Sequence, residues 1–195
     1  MTQKKTEDHP VRVVLVDDHL QMHKIVQATL GATTDIKLVG QGANGEEGIT
    51  LCEQYQPDIA LMDVVMPVLD GIEATKILHE RFPAIKILVL SSFHDHESVY
   101  AMLRNGAVGY LTKDSLAQDL AETIRATFQG KMVFSSEVGA QLVSPPQPAA
   151  LVTEYNRPHA STYADACHLF YEARSALRPR FPELLAPDQM YGVMK

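Results

Sequence analysis

The sequence predicts an α/β fold in which a five-stranded parallel sheet lies between two layers of helices. Apolar runs and amphipathic segments alternate five times between residues 11 and 129, and strict alternation is typical of parallel strands joined by helices. The apolar runs are nearly continuous, as in residues 11–16 and 85–90. Continuous runs indicate strands that are buried on both faces of a sheet.

Each element follows from its own pattern. The predicted strands are residues 11–16, 36–39, 58–63, 85–90 and 108–112. The predicted helices carry apolar residues at helical spacing and span residues 20–31, 44–56, 70–82, 95–105 and 115–129. Asn44 and Ser115 are predicted N-caps, and Asp70 is expected to start the third helix.

The chain divides into four regions by composition. Residues 1–10 are polar and predicted to be disordered, residues 11–135 form the main domain, and residues 136–150 are a proline-rich linker. Residues 151–195 are a tail of unknown function with one predicted helix from Thr162 to about Leu177. That helix cannot bury its own apolar face, so we expect it to dock, to pair with another chain or to stay loose.

Composition excludes several classes of protein. The net charge is −7 and lies wholly in residues 1–144, because residues 145–195 hold five acids and five bases. This balance gives no electrostatic footprint for nucleic acid. Two distant cysteines indicate no disulfide framework, and no stretch reaches the roughly 18 apolar residues of a membrane helix. With no signal peptide visible at residues 1–10, we expect a cytoplasmic protein with no membrane partner.

Carboxylates follow two of the predicted strands. Asp17 and Asp18 close the first strand, and Asp63 closes the third. Ligands of open α/β sheets bind at the carboxyl ends of the strands, so these side chains should converge. Like charges in close proximity repel unless a cation intervenes. The pattern therefore predicts a site for Mg²⁺, which prefers oxygen ligands.

These motifs together resemble the response-regulator receiver domain of two-component signalling. The matching segments are residues 15–19, 61–71, 90–93 and 106–114. The resemblance covers roughly residues 10–135, and Gly109-Tyr110-Leu111-Thr112-Lys113-Asp114 is most similar to the NarL/FixJ branch. It implies a flavodoxin-like (βα)5 three-layer sandwich with the strand order 2-1-3-4-5.

The resemblance also implies a role for each site residue. Asp63 would be the phosphoacceptor, and Lys113 would pair first with Asp63 and then with the phosphoryl group. Mg²⁺ would be held by Asp17, Asp18, Asp63 and the backbone carbonyl of Val65. The phosphodonor would be a sensor histidine kinase or a small phosphodonor, and the protein would catalyse only its own phosphoryl transfer and dephosphorylation.

A conformational switch is implied at two further positions. Ser91 would donate its hydroxyl to a phosphoryl oxygen, and Tyr110 would rotate toward the space that Ser91 vacates. This would repack the face made by the fourth helix, fifth strand and fifth helix, through which the family implies a homodimer.

Each residue alone has a plainer interpretation. An acidic pair can cap a helix, and Asp63 can be a turn residue. Lys113 can be a solvated surface charge, Ser91 can be a polar residue at a strand end, and Tyr110 can be a half-buried packing residue. Their joint occurrence in order and at family spacing favours the site.

Two other functions remain open at this point. One is a DNA-binding transcriptional regulator that dimerises through the receiver, although residues 151–195 show no helix-turn-helix. The tail is then either a partner-binding segment or a truncated or frame-shifted output domain. The other is a phosphatase, which Val65 argues against because such enzymes place a second Asp there.

The remaining candidates receive structural interpretations. His19 is expected to pack near the site rather than bind a metal, and Gly40–Gly45 reads as a connection between a strand and a helix. His94, Asp95 and His96 suggest a solvated loop, whereas Cys52 and Cys167 lie in apolar helical stripes.

Overall fold

The computed structural model describes residues 9–92 and 96–143. Outside these ranges lie residues 1–8, residues 93–95, residues 144–150 of the predicted linker and the whole predicted tail. The predictions for Thr162 to Leu177 and for Cys167 therefore concern residues outside the described part.

The described residues form one sheet in which all neighbouring strands are parallel. Its strands are β1 Val11–Val16, β2 Ile36–Gly42, β3 Ile59–Met62, β4 Lys86–Ser91, β5 Gly109–Thr112 and β6 Val133–Phe134. The order across the sheet is β2-β1-β3-β4-β5-β6. The first five strands thus lie in the predicted order, and the flavodoxin-like fold is confirmed.

Helices connect successive strands and cover both faces of the sheet. They are α1 Leu20–Gly31, α2 Gly45–Tyr55, α3 Gly71–Arg81, α4 His96–Arg104, α5 Leu116–Phe128 and α6 Ser136–Val143. Asn44 and Asp70 are the N-caps of α2 and α3, and their side chains accept hydrogen bonds from the backbone N–H groups of Glu47 and Glu73. Lys113–Ser115 form a 3₁₀ turn that leads into α5.

Two apolar cores explain why the sheet is buried. One lies on the face covered by α2, α3 and α4 and contains Val16, Met62 and Val89. The other lies on the face covered by α1 and α5 and contains Leu15, Leu61 and Leu88. Because neighbouring residues of one strand enter opposite cores, each strand must be apolar throughout.

The structure differs from the prediction after residue 130. A sixth strand, β6, lies along β5, and residues 136–143, which we assigned to the proline-rich linker, form α6. Val138 is fully buried, and Leu142 packs against the same core. Burial of these two side chains favours a helix over an extended linker.

Strand β2 is also longer than predicted. Gly40 and Gly42 pair with Val14 and Val16 of β1, so β2 continues to Gly42 instead of ending at Val39. Small residues are needed here, because a Cβ at Gly42 would meet Glu47 and Leu51 of α2 at about 3 Å.

Among the described residues, no helix has both the length and the apolar character to cross a bilayer.

Candidate functional site

Strand register brings Asp17 and Asp63 side by side. Val16 and Met62 are paired in the ladder between β1 and β3, and each aspartate is the next residue of its chain. The backbone N–H of Asp63 donates to the carbonyl of Val16, at 2.9 Å. Both carboxylates are buried at the carboxyl edge of the sheet.

Lys113 joins the two buried carboxylates. It follows β5 directly, and its Nζ lies 2.8 Å from Oδ2 of Asp63 and 2.7 Å from Oδ2 of Asp17. To do so, the side chain passes over the end of β4, which separates β5 from β3. Only 9% of the Lys113 side chain is exposed, so little water weakens these ion pairs.

The buried environment shifts two of these groups. Burial raises the pKa of Asp63, and the charge of Asp17 adds to the shift, whereas Lys113 and the N–H of Val64 oppose it. Burial alone would lower the pKa of Lys113, but its contacts with Asp17 and Asp63 outweigh burial and raise it. Lys113 therefore stays charged, while the Asp63 carboxylate is held in an environment that solvates it poorly.

Asp18 and His19 form the outer rim of the site. Asp18 is partly exposed, and its Oδ1 lies 2.6 Å from Nδ1 of His19. The backbone N–H of His19 donates to Oδ1 of Asp17. His23, one turn into α1, places Nε2 at 2.6 Å from the backbone oxygen of Asp17. These contacts hold the loop between β1 and α1 against the site.

The loop between β3 and α3 is shaped by two unusual positions. A Cβ at Gly71 would lie 1.8 Å from the carbonyl oxygen of Asp63, so only glycine fits this approach. Val68 has φ of 69° although it is β-branched and 76% exposed. This conformation is unfavourable for valine and stores strain beside the site. Val65 lies half-buried in the same loop.

Ser91 and Tyr110 lie beneath the site on one face of the sheet. Ser91 pairs with Thr112, and Val89 pairs with Tyr110, in the ladder between β4 and β5. Ser91 and Tyr110 are both fully buried. Tyr110 belongs to the core formed with α3 and α4, so its ring already faces inward.

The donor set suits a divalent cation. Asp17, Asp18, His19 and Asp63 each offer one ligand atom, and these atoms lie within 4.8 Å of one another. Lys113 contacts Asp17 and Asp63 but supplies one positive charge to a cluster of three carboxylates. The remaining negative charge is stabilised by a cation. The residues therefore fit the magnesium ion that the sequence predicts.

Comparison with known proteins identifies the family. Residues 13–125 match the response regulator receiver domain. The chain belongs to this family. The predicted resemblance is confirmed.

Relatives of the receiver domain include transcription regulators. The chain is 40% identical over 134 residues to the transcriptional regulatory protein LiaR of Bacillus subtilis, a match that covers 69% of this chain and 64% of LiaR. It is 38% identical over 128 residues to the response regulator protein VraR of Staphylococcus epidermidis, covering 66% of this chain and 61% of VraR. The chain thus spans less than two thirds of the length of these curated relatives.

Solved structures show the same fold. A two-component response regulator of the LuxR family from Aurantimonas is 27% identical with a TM-score of 0.64, over 68% of this chain and 94% of that one. The receiver domain of NarL from Mycobacterium tuberculosis is 28% identical with a TM-score of 0.61, over 63% and 99%.

The structure brings most of the predicted site residues together. Asp17, Asp18, Asp63 and Lys113 meet in one pocket. Cys52 lies in the core as predicted, and burial raises the pKa of its thiol to about 12. His23, whose Nε2 contacts the backbone oxygen of Asp17, was not among the predicted residues. Gly71 belongs to the matching segment 61–71, but its close approach to the backbone of Asp63 was not predicted, because such an approach leaves no pattern in a single sequence.

Proposed function

We propose that this receiver domain accepts a phosphoryl group on Asp63 in a reaction that depends on Mg²⁺, and that it passes the signal on by a change of conformation. The observation that carries the proposal is the ammonium group of Lys113 held between the buried carboxylates of Asp63 and Asp17. A pocket of this kind neutralises charge that develops during phosphoryl transfer.

The chemistry assigned to Asp63 is nucleophilic. A carboxylate oxygen of Asp63 attacks the phosphorus atom, a P–O bond forms, and the P–N bond of a phosphohistidine breaks. The leaving imidazole takes up a proton from water. Poor solvation of the Asp63 carboxylate favours the attack, since the raised pKa reflects an oxygen that binds an electrophile readily. The bound Mg²⁺ would neutralise phosphoryl oxygens.

Lys113 would stabilise Asp63 both before and after phosphorylation. Its ammonium group lies 2.8 Å from Oδ2 of Asp63, near the position that a phosphoryl group would take on this oxygen. Phosphorylation adds nearly two negative charges. Lys113 and the hydroxyl of Ser91 are the groups at the ends of β5 and β4 that would contact the added oxygens.

The signal would leave the site through β4 and β5. Ser91 and Tyr110 share one face of these strands, so a movement of the Ser91 loop changes the packing around Tyr110. Strand β6 lies along β5, and the N–H of Ser135 donates to the carbonyl of Tyr110. Because β6 covers the edge of β5 at Gly109 and Tyr110, we expect a homodimer through α4, β5 and α5 to rely on the helix surfaces.

The phosphodonor would be a sensor histidine kinase in the cytoplasm. Two large apolar side chains are exposed beside the site, Leu20 at the start of α1 and Val68 in the loop after β3. Exposed apolar groups next to a reactive centre favour docking of another protein.

Incubation with acetyl phosphate and Mg²⁺ tests the phosphoacceptor. We expect mass spectrometry of the intact protein to show the added mass of one phosphoryl group, because Asp63 is the buried carboxylate paired with Lys113. Asp63→Asn should lose this mass. Asp70→Asn is the matched control, since Asp70 caps α3 and should leave phosphorylation unchanged. A phosphoryl group that persists in Asp63→Asn would refute the assignment.

Transcription regulation is the second candidate function. The 40% identity to LiaR, which is named a transcriptional regulatory protein, favours it. A mobility-shift experiment with phosphorylated protein at low and moderate salt tests DNA binding, because phosphate contacts weaken as salt rises. No shift at either salt concentration would eliminate this function.

A further inference from the structure

One nitrogen ligand lies among the carboxylates of the acidic pocket. Nδ1 of His19 is 2.6 Å from Oδ1 of Asp18 and 3.4 Å from Oδ1 of Asp17. His19 is the N-cap residue of α1, yet its side chain makes no capping hydrogen bond. The imidazole is 66% exposed, so its contact with Asp18, rather than burial or helix capping, orients it toward the carboxylates.

The ligand atoms already have nearly the spacing of a single coordination shell. Those of Asp17, Asp18, His19 and Asp63 lie within 4.8 Å of one another. Ligands at about 2.1 Å on opposite sides of one ion are about 4.2 Å apart. Because Asp18 and His19 are not buried, small rotations of their side chains are enough to close the difference.

A second feature of the pocket calls for a cation. Asp17 and Asp63 are buried, and Nζ of Lys113 contacts both carboxylates, at 2.7 and 2.8 Å. Asp18 adds a third carboxylate to the cluster, so one ammonium group leaves negative charge in excess. Because two of the three carboxylates are buried, the cluster differs from a group of solvated surface acids.

We propose that His19 is a ligand of this metal site and that its imidazole gives the site additional affinity for borderline transition-metal ions such as Co²⁺ and Ni²⁺. Mg²⁺ prefers oxygen ligands and gains little from a nitrogen, whereas imidazole binds Co²⁺ and Ni²⁺ well. This inference rests on the proposed metal-dependent function. It revises the expectation that His19 only packs near the site.

Metal titration of the 195-residue chain tests the role of His19. Calorimetry would measure the affinities for Co²⁺ and Mg²⁺ of the wild type, His19→Asn and Asp18→Asn. We expect His19→Asn to weaken Co²⁺ binding by about tenfold or more, on the scale of losing one metal contact, and to change Mg²⁺ binding by less than about twofold. Asp18→Asn should weaken both ions.

Proton NMR gives a second measurement. In the wild type, Co²⁺ should shift the ring protons of His19 strongly, and excess Mg²⁺ should reverse the shift by competing for the same site. Equal Co²⁺ affinity in the wild type and His19→Asn would overturn the proposal. Equal losses of affinity for Co²⁺ and Mg²⁺ in His19→Asn would also overturn it, because His19 would then only orient Asp18. Co²⁺ binding that Mg²⁺ does not displace would overturn it as well.

Failure of this inference can be told apart from failure of the proposed function. If His19→Asn has no effect on Co²⁺ while Asp63 is still phosphorylated with Mg²⁺, only the role of His19 is excluded. If Asp18→Asn leaves Mg²⁺ binding unchanged, the magnesium site itself is excluded.

Discussion

At the scale of single residues, Asp63 imposes a cost on the fold. Its pKa is raised in the folded state, so the unfolded state ionises at lower pH. The stability linked to such a group is present below its unfolded pKa, near 3.9, and is lost as the pH rises through the folded pKa. The proposed phosphoacceptor thus lowers the stability of the fold at neutral pH.

Asp63→Asn should therefore be more stable than the wild type at neutral pH when no divalent ion is present. Asparagine has nearly the same shape but carries no charge to desolvate. Urea denaturation from pH 4 to pH 8 would measure the free energy of unfolding of both proteins, and the advantage of the variant should shrink toward pH 4. If the stability advantage of Asp63→Asn over the wild type were smaller at pH 8 than at pH 4, the raised pKa of Asp63 would be contradicted.

The strained backbone of Val68 makes a second prediction at this scale. Val68→Gly and Val68→Asn should each stabilise the fold by about 1 kcal/mol, because both residues tolerate positive φ and valine does not. The side chain is 76% exposed, so little buried surface is lost. Urea denaturation would measure the gain. Val68→Ala is the control, and a gain as large as that of glycine would show that φ is not the cause.

Among single residues, the sequence predicted which residues form the pocket better than it predicted the contacts between them. The resemblance implied that Lys113 pairs with Asp63, but the structure adds a contact at 2.7 Å with Asp17. This second contact depends on how far the lysine side chain reaches across the end of β4. Distances of this kind are set by the tertiary structure and leave no trace in residue spacing.

At the scale of elements, Gly71 at the start of α3 packs against the backbone of Asp63. We expect Gly71→Ala to destabilise the fold by about 2 kcal/mol, because the added methyl group would collide with the carbonyl of Asp63. Phosphorylation by acetyl phosphate should slow as well, since the loop that carries Asp63 must move. Thermal or urea denaturation together with the mass measurement would show both effects.

Gly31→Ala is the matched control for this substitution. Gly31 is the last residue of α1, and a Cβ there would meet nothing within 4 Å. Its replacement should be neutral or stabilise by up to about 1 kcal/mol, since alanine favours helix more than glycine does. Equal destabilisation by both substitutions would argue against a special role for Gly71.

The elements that the sequence predicted are those with strong local patterns. Continuous apolar runs identified β1 and β4, and helical spacing identified α1 and α5. Strand β6 has only Val133 and Phe134, too few residues for any periodicity, and it exists because β5 supplies its partners. Helix α6 precedes a proline-rich stretch, and the composition of that stretch concealed the buried positions Val138 and Leu142.

At the scale of the whole molecule, metal binding should be visible as stability. A ligand that binds only the folded state stabilises it by about 1.4 kcal/mol at ten times its dissociation constant. We expect Mg²⁺ to raise the melting temperature by a few degrees in a domain of this size. EDTA should reverse the shift, and Asp18→Asn should abolish it. Sodium chloride at equal ionic strength is the control, and an equal shift with this salt would indicate screening instead of binding.

The covered edge of β5 limits how copies of this chain can associate. A parallel sheet can be extended by a second chain only where a strand has unpaired backbone groups. On the β5 side, β6 pairs with Gly109 and Tyr110, and on the other side β2 is the long outer strand of the described sheet. Strand β2 ends in Gly40-Gln41-Gly42 and carries the exposed Lys37, features that discourage backbone pairing between molecules. We therefore expect any self-association of this chain to use side-chain contacts, which can be reversed, rather than continuous sheets, which are the starting point of fibres.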